Sequence, residues 1–283
     1  MSNYSLEYKT FQWGGWNLFK KGIEYDNIAL DLKRGRTNMV YEIKNKEIRV
    51  ILKDEKIELP EELRKKIDEN FENIKKSGAN IWNGEVFCVA KIDVTDKLVE
   101  IICKKSDYAH YLYGERIGLP EEYCCRNLSA GALVETTDNY YVVGELDKNT
   151  SYPTVLQVTG GNIDKEDIEN NNINIEQTIK REANEELNIN LDNTGNEIAY
   201  MYVTEKGEQP GVQIFSKAQI NMTAKEMEKY FEDYNEYLRK NNLEVEFEKI
   251  HLLKKETAVE QLENLKNPRR NYLLPLIKVD SEK

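Results

Sequence analysis

The chain has 283 residues, a hydrophobic fraction of 40%, an aromatic fraction of 10% and a formal net charge of −11 at pH 7. This length accommodates two domains of ordinary size, and the apolar content excludes a wholly disordered chain. The acidic balance, with no polybasic run, argues against binding to a nucleic-acid backbone. Residues 1–10 lack the apolar core of a signal peptide, and no run approaches the ~20 apolar residues of a membrane span. We therefore expect a cytoplasmic protein without membrane contact.

The first half of the chain predicts a small α+β unit, which we assign to residues 1–125. Alternating and β-branched residues predict strands, at residues 39–52 around a turn at 44–46, at 84–94 and at 98–104. Residues 59–76 predict a helix, because Pro60 stands at its start, acids fill the first turn and lysines the last. Apolar residues at helical spacing predict its core face, namely Leu63, Ile67, Phe71 and Ile74.

The second predicted unit spans residues 126–283. Its strand patterns lie at residues 128–136, 140–146, 154–159, 197–204, 212–220 and 245–253, and its helical patterns at 175–190, 223–241 and 257–265. The four cysteines lack the paired spacing of a zinc site, so we expect buried reduced thiols. His110 and His251 are the only histidines, which excludes a histidine-rich metal centre.

The segment that points most directly to chemistry is KREANEELNIN at residues 180–190. Residues three and four apart share one face of a helix, so Glu182 lies beside both Glu185 and Glu186. Such carboxylates repel one another, and a hard divalent cation with oxygen ligands, Mg2+ or Mn2+, relieves that repulsion. The alternative is a solvated acidic face. Upstream, the strand pattern at 154–159 runs into Gly160 and Gly161, which permit backbone geometry closed to other residues.

This order of strand, glycine pair, loop and acidic helix resembles the Nudix box, G-x5-E-x7-R-E-U-x-E-E-x-G-U with U aliphatic. The matching positions are Gly161, Asp167, Arg181, Glu182, Ala183, Glu185, Glu186 and Ile189. The chain departs from the box at three points. Asp167 replaces a glutamate, thirteen residues instead of seven separate it from Arg181, and Asn188 replaces the second glycine. The extra length comes from an Asn-rich insertion at residues 169–174, in a predicted loop where length costs little.

The resemblance implies an α/β/α sandwich, the Nudix fold, preceded by a smaller N-terminal α+β domain. The helix at 59–76, Asn83-Gly84, Ser106-Asp107-Tyr108 and Gly114 are similar in order to the two-domain group of UDP-glucose/UDP-galactose pyrophosphatases. The implied activity is Mg2+-dependent (or Mn2+-dependent) hydrolysis of the pyrophosphate bond in a nucleoside diphosphate linked to another moiety. A UDP-sugar, cleaved to UMP and sugar 1-phosphate, is the first candidate, and ADP-ribose or a dinucleotide is the next. A monomer or homodimer is expected.

The same resemblance implies roles for individual residues. The metal ligands would be Glu182, Glu185 and Glu186 with the backbone carbonyl of Gly160, while Arg181 orients a neighbouring acid. Members of the family draw a further glutamate from a later loop. The candidates here are Glu205 and Glu208, with Glu246 and Glu248 behind them, and for each the alternative is a solvated surface charge.

Substrate contacts are expected in the segment that joins the two predicted domains. An aromatic plane there could stack a base while an arginine meets a phosphate, and the residues concerned are Tyr108, Tyr111, Tyr113 and Arg116. Ordinary packing is the alternative for each. A Nudix-like domain that has lost turnover and acts as a nucleotide-binding sensor or scaffold is the competing class of function. An isopentenyl-diphosphate isomerase would share the fold but needs an active-site cysteine, and neither Cys124 nor Cys125 stands in a suitable segment.

Overall fold

The computed structural model describes residues 11–13, 16–18, 39–78, 81–150, 152–204 and 211–283. Within these ranges, thirteen strands are linked by backbone pairing into one mixed sheet. A separate two-stranded ladder is formed by β1 (Phe11–Trp13) and β2 (Trp16–Leu18).

The predicted elements of the first half are confirmed with small shifts of their ends. They are β3 (Met39–Glu42), β4 (Glu47–Lys56), α1 (Glu61–Lys76), β5 (Glu85–Val94) and β6 (Leu98–Asp107). An additional helix, α2 (Tyr108–Ile117), occupies the segment that we expected only to join two domains. It begins there because the Asp107 side chain caps it, accepting a hydrogen bond from the backbone N–H of His110 at 3.1 Å. α1 and α2 enclose a small core of their own that contains Ile67, Phe71 and Leu112.

The second half contains nine strands and four helices among the described residues. The strands are β7 (Asn127–Glu135), β8 (Tyr140–Leu146), β9 (Leu156–Gln157), β10 (Thr159–Asn162), β11 (Ile168–Glu169), β12 (Asn172–Ile173), β13 (Gly195–Thr204), β14 (Gly211–Gln219) and β15 (Phe247–Lys254). The helices are α3 (Ile175–Leu187), α4 (Ala224–Lys240), α5 (Ala258–Asn264) and α6 (Leu273–Ser281), and α6 was not expected. The single strand predicted at 154–159 is two short strands, because β9 pairs with β8 while β10 pairs with β7.

Two helical layers cover the sheet of the second half. Residues at alternate positions of a strand point to opposite faces. In β7, Ala132 and Val134 pack with residues of α3 and α4, while Leu133 packs with residues of α5 and α6. This arrangement is the α/β/α sandwich that the sequence led us to expect. The acidic helix α3 thus lies flat against one face of the sheet.

The Asn-rich insertion is a β-hairpin, where we expected a loop. Asn170 and Asn171 both have positive φ, 50° and 64°, which is the geometry of a two-residue turn that asparagine tolerates. The hairpin continues the sheet at β4, because the N–H of Leu52 donates to the carbonyl of Asn171 at 2.8 Å. The insertion therefore ties the first half of the chain to the loop that precedes α3.

Strands from both predicted domains belong to the same sheet. β5 meets β7 where Cys88 faces Asn127, and β3 pairs with β13. The division into residues 1–125 and 126–283 stays a prediction. The expectation of reduced thiols is wrong for one pair, since Cys88 and Cys125 form a disulfide with their Cα atoms 5.4 Å apart. Within the described ranges, every helix is too short or too polar to cross a membrane.

Candidate functional site

The acids of the box lie on α3, whose ends are capped by asparagines. The Asn174 side chain accepts a hydrogen bond from the N–H of Gln177 at 3.2 Å. Asn188, in place of the box glycine, adopts the left-handed conformation with φ 55° and ends the helix. Apolar residues at every fourth position anchor α3 in the core, namely Ile175, Ile179, Ala183 and Leu187. This packing fixes the rotation of α3 about its axis and therefore determines which glutamates point into the protein.

Of the three box glutamates, two are buried and one is exposed. Glu182 is 7% exposed and Glu186 is 3% exposed. The side chain of Glu185 is 58% exposed. The alternative of a wholly solvated acidic face is therefore wrong for Glu182 and Glu186, because these two side chains lie under the protein surface.

Arg181 links Glu182, Asp167 and Asn162 by hydrogen bonds at this end of the site. Its guanidinium donates to Glu182 Oε1 at 2.7 Å, to Asp167 Oδ2 at 3.0 Å and to the carbonyl of Asn162 at 3.1 Å. Asp167 is fully buried as a side chain and also accepts from Thr178 Oγ1 at 2.8 Å. The aspartate that replaces the box glutamate is thus a partner of Arg181, and Arg181 in turn orients Glu182.

Two glycines allow the backbone to approach the buried carboxylates. The N–H of Gly160 donates to Glu186 Oε2 at 2.8 Å. A side chain at Gly160, which has φ 149°, would collide with the backbone of Ala130 and Gly131, and one at Gly161 would collide with the Glu182 carboxylate. The peptide of Gly160 therefore lies beside Glu186. Whether its carbonyl is a metal ligand stays a prediction.

The carboxylates of this site have less positive charge near them than would balance their own negative charge. Burial raises the pKa of Glu182 to about 7, outweighing the opposite effect of Arg181, and the neighbouring acids Glu246 and Glu185 raise it further. Burial, followed by repulsion from Glu246 and Glu182, raises the pKa of Glu186 well above its ordinary value. Negative charge at this site is therefore costly unless a cation or a proton accompanies it.

The fold brings Glu246 to the box, but not Glu248. The carboxyl groups of Glu246 and Glu186 lie within hydrogen-bonding reach of each other. Glu246 is exposed when the whole residue is considered, but its carboxyl group is partly shielded from water by surrounding atoms. This desolvation, together with repulsion from the nearby acids, raises the pKa of Glu246. Glu248 instead contacts Asp147 and forms an ion pair with Arg239 at 3.1 Å. Glu205 and Glu208 lie outside the described residues.

The donor atoms of this cluster fit a hard divalent cation such as Mg2+. They are carboxylate oxygens on adjacent turns, with a shortage of positive charge. Among the described side chains, no three of His, Cys, Asp or Glu already stand in a metal-ligating arrangement. Glu182 is instead turned to Arg181 and Glu186 to the N–H of Gly160. A cation would have to compete with these hydrogen bonds.

The predicted substrate residues lie on α2. Tyr108 packs edge-on against Phe71, with ring centroids 6.4 Å apart, and Tyr113 packs against the small core between α1 and α2. Arg116 is exposed and lies within electrostatic range of Glu115 and Tyr152. Their roles in substrate binding stay predictions.

Several polar residues near the buried carboxylates carried no signal in the sequence. Gln157 is 5% exposed, and its Nε2 lies 3.5 Å from Glu186 Oε1. Arg270 donates from Nε to Gln157 Oε1 at 3.1 Å across a separation of 113 residues. Neither belongs to a motif, and only the fold joins them to the box.

A surface cavity of about 510 Å³ lies next to α3 but does not include the buried acids. It is lined by Asn174, Glu176, Gln177, Lys180, Arg181, Asn184, Asn190 and Asp192. Glu176 and Asp192, the acids in this lining, are exposed. The candidate site is therefore defined by the buried carboxylates and not by this cavity.

No protein-family model matches the chain, and no curated protein matches it. In structure it is similar to a MutT protein from Methanosarcina mazei, with 14% identity, a TM-score of 0.38 and coverage of 55% of this chain and 95% of that chain. It is also similar to a C. elegans Ap4A hydrolase in a binary complex, with 15% identity, a TM-score of 0.36 and coverage of 55% and 95%.

The NUDIX domain of Shewanella oneidensis NrtR, determined in complex with ADP ribose, is a further structural neighbour, with 15% identity, a TM-score of 0.37 and coverage of 62% of this chain and 97% of that chain. Neighbours of the chain thus include proteins of the family whose box it resembles. At these identities and TM-scores the similarities carry no argument about activity. The site itself has to carry that argument.

Proposed function

We propose that the chain is a pyrophosphohydrolase of the Nudix type, dependent on Mg2+ or Mn2+, that cleaves a nucleoside diphosphate linked to another moiety. A UDP-sugar is the first candidate substrate, and ADP-ribose or a dinucleotide is the next. One observation carries the proposal. Glu182 and Glu186 are buried one helical turn apart with Glu246 beside them, and the ion pair of Arg181 with Glu182 does not offset the burial of the two carboxylates.

Each residue of the site has a separate proposed role in hydrolysis. Glu182, Glu185 and Glu186, with the carbonyl of Gly160, would hold the cation, which when bound neutralises phosphate charge and acidifies water. Arg181 keeps Glu182 in place through a hydrogen bond of 2.7 Å. Glu246, next to Glu186, would hold the attacking water and accept its proton.

The buried carboxylates favour an enzyme over a binding module. Burying like charges is unfavourable in the absence of a cation, and a domain that only holds a nucleotide has no need of such a cluster. The two-domain organisation, with residues 1–125 beside residues 126–283, belongs to the proposal. It is supported by the separate small core between α1 and α2.

The test is a panel of UDP-glucose, ADP-ribose, NADH, diadenosine polyphosphates and nucleoside triphosphates, each with Mg2+, with Mn2+ and with a chelator. We expect release of a mononucleotide from at least one member, and loss of that release with chelator. Cleavage of UDP-glucose to UMP and glucose 1-phosphate, and not to UDP and glucose, identifies the pyrophosphate bond as the one broken. If no member is cleaved with either metal, the hydrolase proposal fails and a nucleotide-binding sensor or scaffold takes its place.

A further inference from the structure

Arg270 is held rigidly next to the buried carboxylates. Its backbone N–H donates to the carbonyl of Leu156 at 2.9 Å, which attaches it to β9. Its guanidinium carbon lies 4.2 Å from the centroid of the Tyr152 ring, and its Nε donates to Gln157. Because the Arg270 backbone, guanidinium face and Nε are each held by a contact, the side chain has lost most of its rotamer freedom before a ligand binds.

Gln157 connects the guanidinium to the box. Its carbonyl oxygen accepts from Arg270 Nε at 3.1 Å, and its amide nitrogen faces Glu186 Oε1 at 3.5 Å. The guanidinium is thus separated from a proposed metal-binding carboxylate by one buried amide group. A group bound to Arg270 would lie next to a group bound at Glu186.

Among the described residues, the Arg270 guanidinium forms no ion pair with a carboxylate, although Glu115 lies within electrostatic range. Gln157, a neutral amide, is the one described side chain that accepts a hydrogen bond from it, and no described carboxylate lies within ion-pairing distance. The nearby carboxylate of Glu115 accepts its hydrogen bond from the Tyr152 hydroxyl at 2.7 Å. Arg181, in contrast, is paired with three acids. A half-buried arginine with a neutral partner retains donors suited to an incoming oxyanion.

We propose that Arg270, stacked on Tyr152 and held by Gln157, binds a phosphate oxygen of the substrate. The inference rests on the proposed function, because the neighbouring phosphate is the one held at Glu182 and Glu186. Arginine suits this position because its planar donors match phosphate oxygens two at a time. The phosphate that it binds lies next to the one at the buried carboxylates.

The experiment compares Arg270→Gln with Arg269→Gln. Arg269 is the neighbouring arginine, and it donates to the carbonyl of Leu262 at 2.8 Å. On the substrate identified by the panel, we expect Arg270→Gln to raise KM roughly 10- to 50-fold while kcat changes less than about fivefold. Arg269→Gln should leave both constants within about twofold of wild type, since the hydrogen bond of its side chain is made to the carbonyl of Leu262 on α5 and the substitution keeps the backbone. Circular dichroism and the melting temperature establish that each variant is folded.

Arg270→Lys is the second variant, and it also serves if Arg270→Gln does not fold. It keeps the charge but loses the planar pair of donors, so we expect an intermediate KM. A KM within twofold of wild type in every folded Arg270 variant, while wild type still turns over, overturns this inference and leaves the proposed function intact.

If wild type cleaves no member of the panel, the proposed function fails and binding decides the inference by itself. The probes are inorganic pyrophosphate and methylene-bridged ADP, titrated with Mg2+ by calorimetry into wild type, Arg270→Gln and Arg269→Gln. Loss of at least tenfold in affinity only in Arg270→Gln supports phosphate binding by Arg270. Equal affinities in the three proteins, or no binding to wild type, overturn it.

Discussion

Two groups of buried carboxylates in the described part of the chain have opposite electrostatic character. One is the box, with Glu182 and Glu186 on α3. The other surrounds Asp280 on α6, which is 1% exposed. Asp280 accepts hydrogen bonds from the hydroxyls of Tyr141 and Tyr200, and from Lys217 Nζ at 2.9 Å. Burial is thus similar at the two places, while the partners differ.

The pKa values move in opposite directions. At Asp280, burial raises the pKa, but the hydrogen bonds of Tyr141, Tyr200 and Lys217 outweigh it and lower the value to about 2. At Glu182, burial outweighs Arg181 and raises the pKa to about 7. Depth in the protein therefore does not decide the direction in which the pKa of a buried acid moves. The supply of hydrogen bonds and positive charge does.

The charge balance of each cluster explains the difference. Asp280 and its neighbour Glu135 share two lysines, Lys217 and Lys255. Around the box, Arg181 faces Asp167, Glu182 and Glu185, and the Glu186 side chain accepts a hydrogen bond from a backbone N–H. The carboxylates of the first cluster are balanced by lysines of the folded chain, whereas those of the second keep an excess of negative charge, which is the reason for proposing a cation there.

The largest effect is expected at the cluster of Glu182 and Glu186. Glu186→Gln should lower kcat roughly 10³-fold, about 4 kcal/mol of transition-state stabilisation, because it removes a carboxylate proposed to bind the metal. The melting temperature without divalent cation should not fall, because the substitution also removes a repelling charge. The matched control is Glu176→Gln, an exposed acid on the first turn of α3, which should keep wild-type kcat. Near wild-type turnover in Glu186→Gln would contradict the assignment.

Asp280→Asn should have the reverse profile. It leaves Lys217 and Lys255 beside a neutral group, so the free energy of unfolding should fall by about 3 kcal/mol at pH 7. Urea denaturation measures this change. Asp233→Asn, which breaks an exposed ion pair with Lys229 on α4, should change the stability by less than about 0.5 kcal/mol. Equal stability losses in the two variants would show that the Asp280 cluster is not a distinct stabilising unit.

The Asp280 cluster should also make stability depend on pH. Its folded-state pKa of about 2 lies below the ordinary value of 3.8, so its contribution is complete above about pH 4 and is lost as the pH falls towards 2. The stability difference between wild type and Asp280→Asn should therefore shrink by up to about 2 kcal/mol over that interval. Urea unfolding at pH 7, 4 and 3 tests this, and a constant difference would count against it.

The smallest effect is expected at Glu246. Glu246→Gln should lower kcat roughly tenfold, about 1.4 kcal/mol, because it removes the carboxyl proposed to hold water while the carboxylates of α3 remain. Glu244→Gln is the matched control, an exposed glutamate two residues earlier, and should keep wild-type kcat. An equal effect of both substitutions would indicate a general change in surface charge.

Local sequence was sufficient for the long, regular elements. The patterns of apolar residues predicted α1, α3 and the strands β3 to β8, and the charged pattern that begins at Thr223 predicted α4. The spacing of Glu182, Glu185 and Glu186 predicted a shared helical face. Asn188 stands where the box has glycine, and it adopts the left-handed geometry that asparagine tolerates, with φ 55°. These properties depend on residues within a few positions of one another, where backbone geometry alone relates the side chains.

Other features depended on contacts between distant segments. The chain itself carries no sign that Glu246 would reach Glu186 while Glu248 would not, or that Arg270 would meet Gln157 from 113 residues away. The hairpin of β11 and β12 and the hydrogen bonds to Asp280 were likewise not indicated by the local sequence. The amino-acid order therefore specified the acidic turn, and the packing of the chain decided which of its carboxylates are buried and how far positive charge balances them, because burial and ion pairing arise from segments that meet only in the folded state.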